Sequence, residues 1–175
     1  MKIVDIFAEV FPGHLYAVIL DKDLENEFDR NIENWTSVEF LRNYASVNKI
    51  NDQISFIKNI TKEVGEIDDV MLRVINRDVE LNYFFRPLSN SEFLDKVLSL
   101  QKGKFGLQKF LRIYAIKIES NCFLITGGAI KLKRTMQDHP ETMKELYTLH
   151  QVKSFLINQG ILDSDAINEY VFEIN

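Results

Sequence analysis

Cysteine occurs once in the 175 residues, at Cys122. A single thiol cannot form an internal disulfide, so the expected setting is reducing and cytoplasmic, with a fold held by packing. Histidine occurs three times, at His14, His139 and His150, and none of these positions has metal-ligand spacing. Neither a metal nor a cofactor is therefore expected. Proline and glycine are scarce, at three and seven residues, and neither repeats nor low-complexity segments occur. No apolar run approaches the roughly 18 residues of a membrane span. The acids in MKIVDIFAEVF interrupt the apolar region that a signal peptide requires, so a soluble chain without a membrane partner is expected. Nucleophile elbows and serine or cysteine triads are missing as well.

Positive charge is scarce over most of the chain and concentrated in one stretch. Between Gln101 and Arg134 there are eight basic residues (Lys102, Lys104, Lys109, Arg112, Lys117, Lys131, Lys133, Arg134) against one acid, Glu119, a local charge of +7. The 100 residues before it carry −7 and the 41 after it carry −5, for a total of −5. A general nucleic-acid coat is excluded by that total. A local cationic surface for a polyanion, most simply a nucleic-acid backbone, is indicated.

With 46% hydrophobic residues the chain can bury a substantial core, and its length suits one domain. Three parts are distinguished: a hairpin and helical part over 1–83, a sheet and helix over 84–160, and an acidic tail over 161–175. Lys2 to Ala8 and Leu15 to Leu20 read as strands joined by a Pro12-Gly13 turn. Leu24, Phe28, Ile32 and Trp35 have helical spacing, and Ser37 opens a second helix. Asp52 caps a long helix that Gly65 is expected to interrupt. Phe84 to Phe93 reads as a connection, Glu92 to Leu100 as a short helix or turn, and the terminal YVFEI as an edge strand.

FLRIYAIKI and CFLITGGAIKLKR are the best strand signals. With Ser120-Asn121 and Gly127-Gly128 as two-residue turns, Ile116, Ile118, Phe123, Ile125, Ile130 and Leu132 form one apolar face. Lys117 and Lys131 then share the other face, open to solvent. A last helix starts at Pro140, with Asp138 and Glu141 as a capping pair. Met143, Leu146, Leu149, Val152 and Leu156 form its apolar side, His150 is packed near that side, and Gly160 ends it.

Lys131, Lys133, Arg134, Arg112, Tyr114 and His139 form the candidate catalytic set. Metal-free cleavage of an RNA phosphodiester requires a base, an acid and cations around the phosphorus. Lysines and arginines supply the cations, and a lysine, Tyr114 or His139 the proton transfers. Lys102, Lys104, Lys109 and Lys117 are candidate nucleic-acid contacts. The same cations read equally well as solvated charges on a sheet, and His139 as a helix cap. Glu63, Glu66, Asp68 and Asp69 offer a metal-nuclease alternative.

Phe84 to Leu156 resembles the RelE/ParE/HigB toxin superfamily of bacterial toxin–antitoxin modules. The resemblance is carried by FFRPL, FLRIYAIKI, CFLITGGAIKLKRT and the HPETMKEL helix start. Arg112 and Tyr114 fall on an Arg-X-X-Tyr-like strand, one residue closer together than in that pattern. Gly127-Gly128, Lys131, Lys133, Arg134, Thr135 and Pro140-Glu141 follow in the family's order. The resemblance implies an α+β fold with a basic antiparallel sheet, metal-independent mRNA cleavage on the ribosome, and a cognate antitoxin protein as partner. A non-catalytic protein- or nucleic-acid-binding module on the same fold is the alternative. The −7/+7 split further suggests that the acidic N-terminal half shields the basic sheet.

Overall fold

The computed structural model describes residues 1–6, 15–20, 24–89, 97–107, 109–132 and 140–174. The fold is α+β, with five helices and a six-stranded mixed sheet among the described residues. The strands are β1 (Lys2–Asp5), β2 (Leu15–Ile19), β3 (Phe85–Pro87), β4 (Ser99–Gly103), β5 (Leu111–Glu119) and β6 (Cys122–Ile130). The helices are α1 (Glu27–Thr36), α2 (Val38–Val47), α3 (Gln53–Ile75), α4 (Pro140–Gln159) and α5 (Ser164–Ile174). Spatial order across the sheet is β1-β2-β6-β5-β4-β3. All pairings are antiparallel except β2 with β6, so the N-terminal hairpin extends the central sheet. No helix among the described residues is long and apolar enough to cross a membrane.

Side-chain caps set the helix starts in the first half. Asn26 accepts the Asp29 N–H at 3.0 Å, Ser37 Oγ the Phe40 N–H at 3.2 Å, and Asp52 the Ser55 N–H at 3.0 Å, each relieving an orphan donor of a first turn. Gly65 does not break α3. It lies on the exposed side of the helix, with nothing within 4 Å of a Cβ placed there, and neighbouring turns carry the helix through it. The buried stripe of α3 is Phe56, Ile60, Val64, Ile67, Val70, Met71 and Val74. Ile54, at the start of the helix, is exposed.

Both faces of the sheet are covered, contrary to the open lysine face expected from sequence. On one face, Leu15, Ala17, Ile113, Ala115, Phe123 and Ile125 pack against α1, α2 and α3. On the other, Tyr16, Val18, Leu100, Tyr114, Ile116 and Leu124 pack against Leu149, Val152 and Leu156 of α4 and Ile167 of α5. Three layers enclose two cores.

The β5–β6 register explains the difference. Ser120-Asn121 is the hairpin turn, with Asn121 left-handed at φ 61° and Glu119 opposite Cys122. The register then slips between Lys117 and Glu119, and slips back between Tyr114 and Ala115. Ile118 on β5 and Thr126 on β6 are thus the extra residues of two bulges. Between the bulges Ile116 faces Leu124 rather than Ile125. A one-residue slip reverses every side chain, so Ile116 and Ile118 share one core while Phe123, Ile125 and Ile130 line the other.

Gly127-Gly128 is not a turn but lies within β6. The backbone there admits what a Cβ would exclude: at Gly127 it would stand 1.8 Å from Glu145 Oε2, and at Gly128 2.7 Å from the Trp35 ring. Three further expectations are corrected. Phe85–Pro87 is an edge strand on β4, where a proline costs no interior ladder bond. Of the Glu92 to Leu100 stretch read as helix or turn, residues 92–96 lie outside the described residues, and Ser99 and Leu100 open strand β4. The terminal YVFEI belongs to α5, whose Ile167 is fully buried and whose start is capped by Asp163 accepting the Ala166 N–H at 2.8 Å. The Pro12-Gly13 turn lies outside the described residues.

Candidate nucleic-acid interface

Three cations from three adjacent chain segments meet at one end of the sheet. Lys102 on β4 is paired with Tyr114 on β5, and directly opposed residues project to the same face. Arg112, two residues before Tyr114, shares that face and is paired with Ala129 of β6. Lys131 follows β6, its N–H donating to the Phe110 carbonyl at 2.7 Å. Its ammonium is pulled below the ordinary lysine value by partial burial and then by the charges of Arg112 and Lys102. Among the described residues no carboxylate forms an ion pair with any of the three. Among the described residues the Arg112 guanidinium donates to the neighbouring Leu111 carbonyl, at 2.6 Å. The cluster is thus self-repelling, and a bound anion would relieve it.

The remaining sequence candidates divide. Lys104 and Lys109 are exposed on the segment between β4 and β5. Lys117 is separated from Lys131: it lies on the α1–α3 side, its Nζ 6.0 Å from the centroid of the Phe123 ring. Lys133, Arg134 and His139 lie outside the described residues, as does Asp138. Tyr114 is 1% exposed. Burial, then the Glu145 charge, pushes its phenol up to about 12 against a smaller opposing effect of Arg112. A buried phenol of that kind stays protonated at neutral pH, so it holds the floor of the patch rather than taking a proton. The acidic helices α1–α3 cover the face opposite Lys102 and Arg112, so they do not shield those two cations.

Glu63 is committed to structure. Its carboxylate on α3 accepts the N–H groups of Lys109 at 2.7 Å, Phe110 at 3.1 Å and Leu111 at 2.8 Å. The acidic half thereby anchors the segment that opens β5 and leads into Arg112. Asp68 and Asp69 point to solvent. Among the described residues no three His, Cys, Asp or Glu side chains are placed to hold a metal ion, so the metal-nuclease alternative lacks a ligand set there.

Glu145 is the residue that sequence reasoning missed. It occupies the buried side of α4 with Thr142, Leu149, Val152 and Leu156, whereas Met143 is exposed. Its carboxylate rests on Gly127. Burial, then the neighbouring Glu27, pushes its carboxyl up to about 8 despite Lys144 and Arg30, making it a neutral acid at pH 7. The signal was legible in the spacing: Glu145 stands four residues before Leu149 and seven before Val152, on the apolar stripe itself. His150, expected to pack, is exposed. Compared with family models, curated proteins and solved structures, the chain matches none of them.

Proposed function

We propose that the chain binds a nucleic-acid backbone at the Lys102, Arg112 and Lys131 end of the sheet, and acts there as the toxin of a toxin–antitoxin module by metal-independent mRNA cleavage. The observation that carries the binding is the gathering of three cations from β4, β5 and the end of β6, without ion-paired carboxylates among the described residues. Phosphates attract such a cluster by counterion release, and exposed Lys104 and Lys109 extend its field. Cleavage adds two demands. Lys131, with its lowered proton affinity, is suited to act as base at the 2′-hydroxyl, and Arg112 to stabilise charge developing on the phosphorus.

A non-catalytic binding module is the second reading, and the burial of Tyr114 favours it by removing one proton-transfer group from the expected set. Induced expression separates the two. For the toxin, the native chain arrests growth and cleaves mRNA in a translation extract, while the Arg112→Ala, Lys131→Ala variant folds and does neither. Binding of RNA without cleavage or arrest supports the module. Loss of no activity on removing both cations overturns the assignment of the site.

A further inference from the structure

A cavity of about 200 Å³ lies beside the cationic patch, between α1, α2, α4 and residues 128–130 of β6. Among the described residues β2 accompanies β6 through Phe123, Leu124 and Ile125. Beyond that point α1 and α4 approach the strand from its two sides. The aromatic wall is Trp35, Phe40 and Tyr44, and the polar groups include Asn34, Arg30 and Glu145. Among the described residues Arg30 Nε and Glu145 Oε2 are buried and make no hydrogen bond; Arg30 pairs with Glu27 through Nη2, and Glu145 is 8% exposed. Buried polar atoms without partners are uncommon. Here a donor and a carboxyl oxygen of that kind belong to residues lining one cavity, beside an Asn34 amide able to donate and accept.

Those features select the ligand. The volume is below the roughly 300–1,000 Å³ of drug-sized sites, so a single small ring system fits. Aromatic walls favour a flat ring, and the polar set requires donors and acceptors on its edge. A nucleobase has both properties. Position agrees with this choice: Ala129, which lines the cavity, is the strand partner of Arg112, and Ile130 immediately precedes Lys131. We infer that this cavity receives one unstacked nucleobase of the bound strand while Arg112 and Lys131 hold its phosphate, an inference that rests on the nucleic-acid reading above.

Trp35 is the single tryptophan of the chain, so its emission reports on this cavity alone. The experiment titrates the intact protein with four end-labelled RNA heptamers, each of one base, and with an abasic ribose-phosphate heptamer. Anisotropy reads affinity and Trp35 emission reads occupancy. The expected result is that the abasic strand binds without changing Trp35. At least one base-bearing strand should bind about 5- to 150-fold more tightly, the range of one base–aromatic stack, and change the emission. Asn34→Ala should bring that strand toward the abasic affinity and leave the abasic affinity unaltered. Equal affinity for all five strands with silent Trp35 overturns the base site and leaves backbone binding standing. Binding to none of them overturns both readings.

Discussion

Replacing Glu145 by glutamine should remove a pH dependence of stability that the wild-type fold carries. The Glu145 carboxyl is raised from an ordinary 4.5 to about 8 in the folded chain, chiefly by burial and then by Glu27. The folded state therefore holds this proton more tightly than the unfolded chain does. Below about pH 4.5 the side chain is neutral in both states and costs nothing. As pH rises, the unfolded chain ionises first and gains free energy, so folding stability falls, and the loss is complete once the folded side chain ionises near pH 8. At about 1.4 kcal/mol for each tenfold difference in proton affinity, the loss is about 3 kcal/mol at pH 7 and approaches about 5 kcal/mol above pH 8. Glu145→Gln has the same size and no charge, so it should match the wild type near pH 4.5 and exceed it by these amounts at pH 7 and 9. Urea unfolding of both proteins at the three pH values measures the difference, in which other titrating groups cancel. Parallel pH profiles would refute the buried, neutral carboxyl on Gly127.

Gly127→Ala should cost about 1–3 kcal/mol through overpacking against Glu145, and a double-mutant cycle with Glu145→Ala should recover much of it, as read by the same unfolding assay. Glu63→Ala strips three backbone N–H groups of their acceptor and should destabilise by about 3 kcal/mol, with protection from hydrogen exchange lost first at Lys109 to Leu111. Cys122 is 2% exposed, and burial, then Glu119, pushes its thiol up to about 12, so a disulfide reagent should label it only at the rate of unfolding. Ile125→Asp should abolish the folded state, since it puts a charge into the core shared by β6 and α1–α3.

Much of the fold was legible because it is written in local signals. Ser37 and Asp52 cap where helices begin, and Gly160, at φ 72°, closes α4. The hairpin turn at Ser120-Asn121 follows from its residues in the same way. Non-local features were less legible. Bulges at Ile118 and Thr126 leave no mark in composition, yet they reverse the faces of β5 and β6 between them. A doubly covered sheet did leave a trace: LRIYAIKI is apolar at both parities, with Leu111, Ile113 and Ala115 on one face and Tyr114, Ile116 and Ile118 on the other. Reading the run as one apolar and one lysine face discarded that trace. The cationic set was visible as charge, but its partition depended on the register, which joins Lys102, Arg112 and Lys131 and sends Lys117 to the far face. Glu145 was hidden by its residue type, because a carboxylate on an apolar stripe is ordinarily assigned to solvent.

The most direct measurement is the salt dependence of single-stranded RNA binding for the native chain and for Lys102→Ala, Arg112→Ala. Each phosphate contact on a single strand contributes about 0.7 to the slope of log affinity against log salt. Loss of two contacts should lower the steepness by about 1.4, with the fold unchanged by circular dichroism. An unchanged slope, or RNA binding that salt does not weaken, would contradict a phosphate site at this end of the sheet.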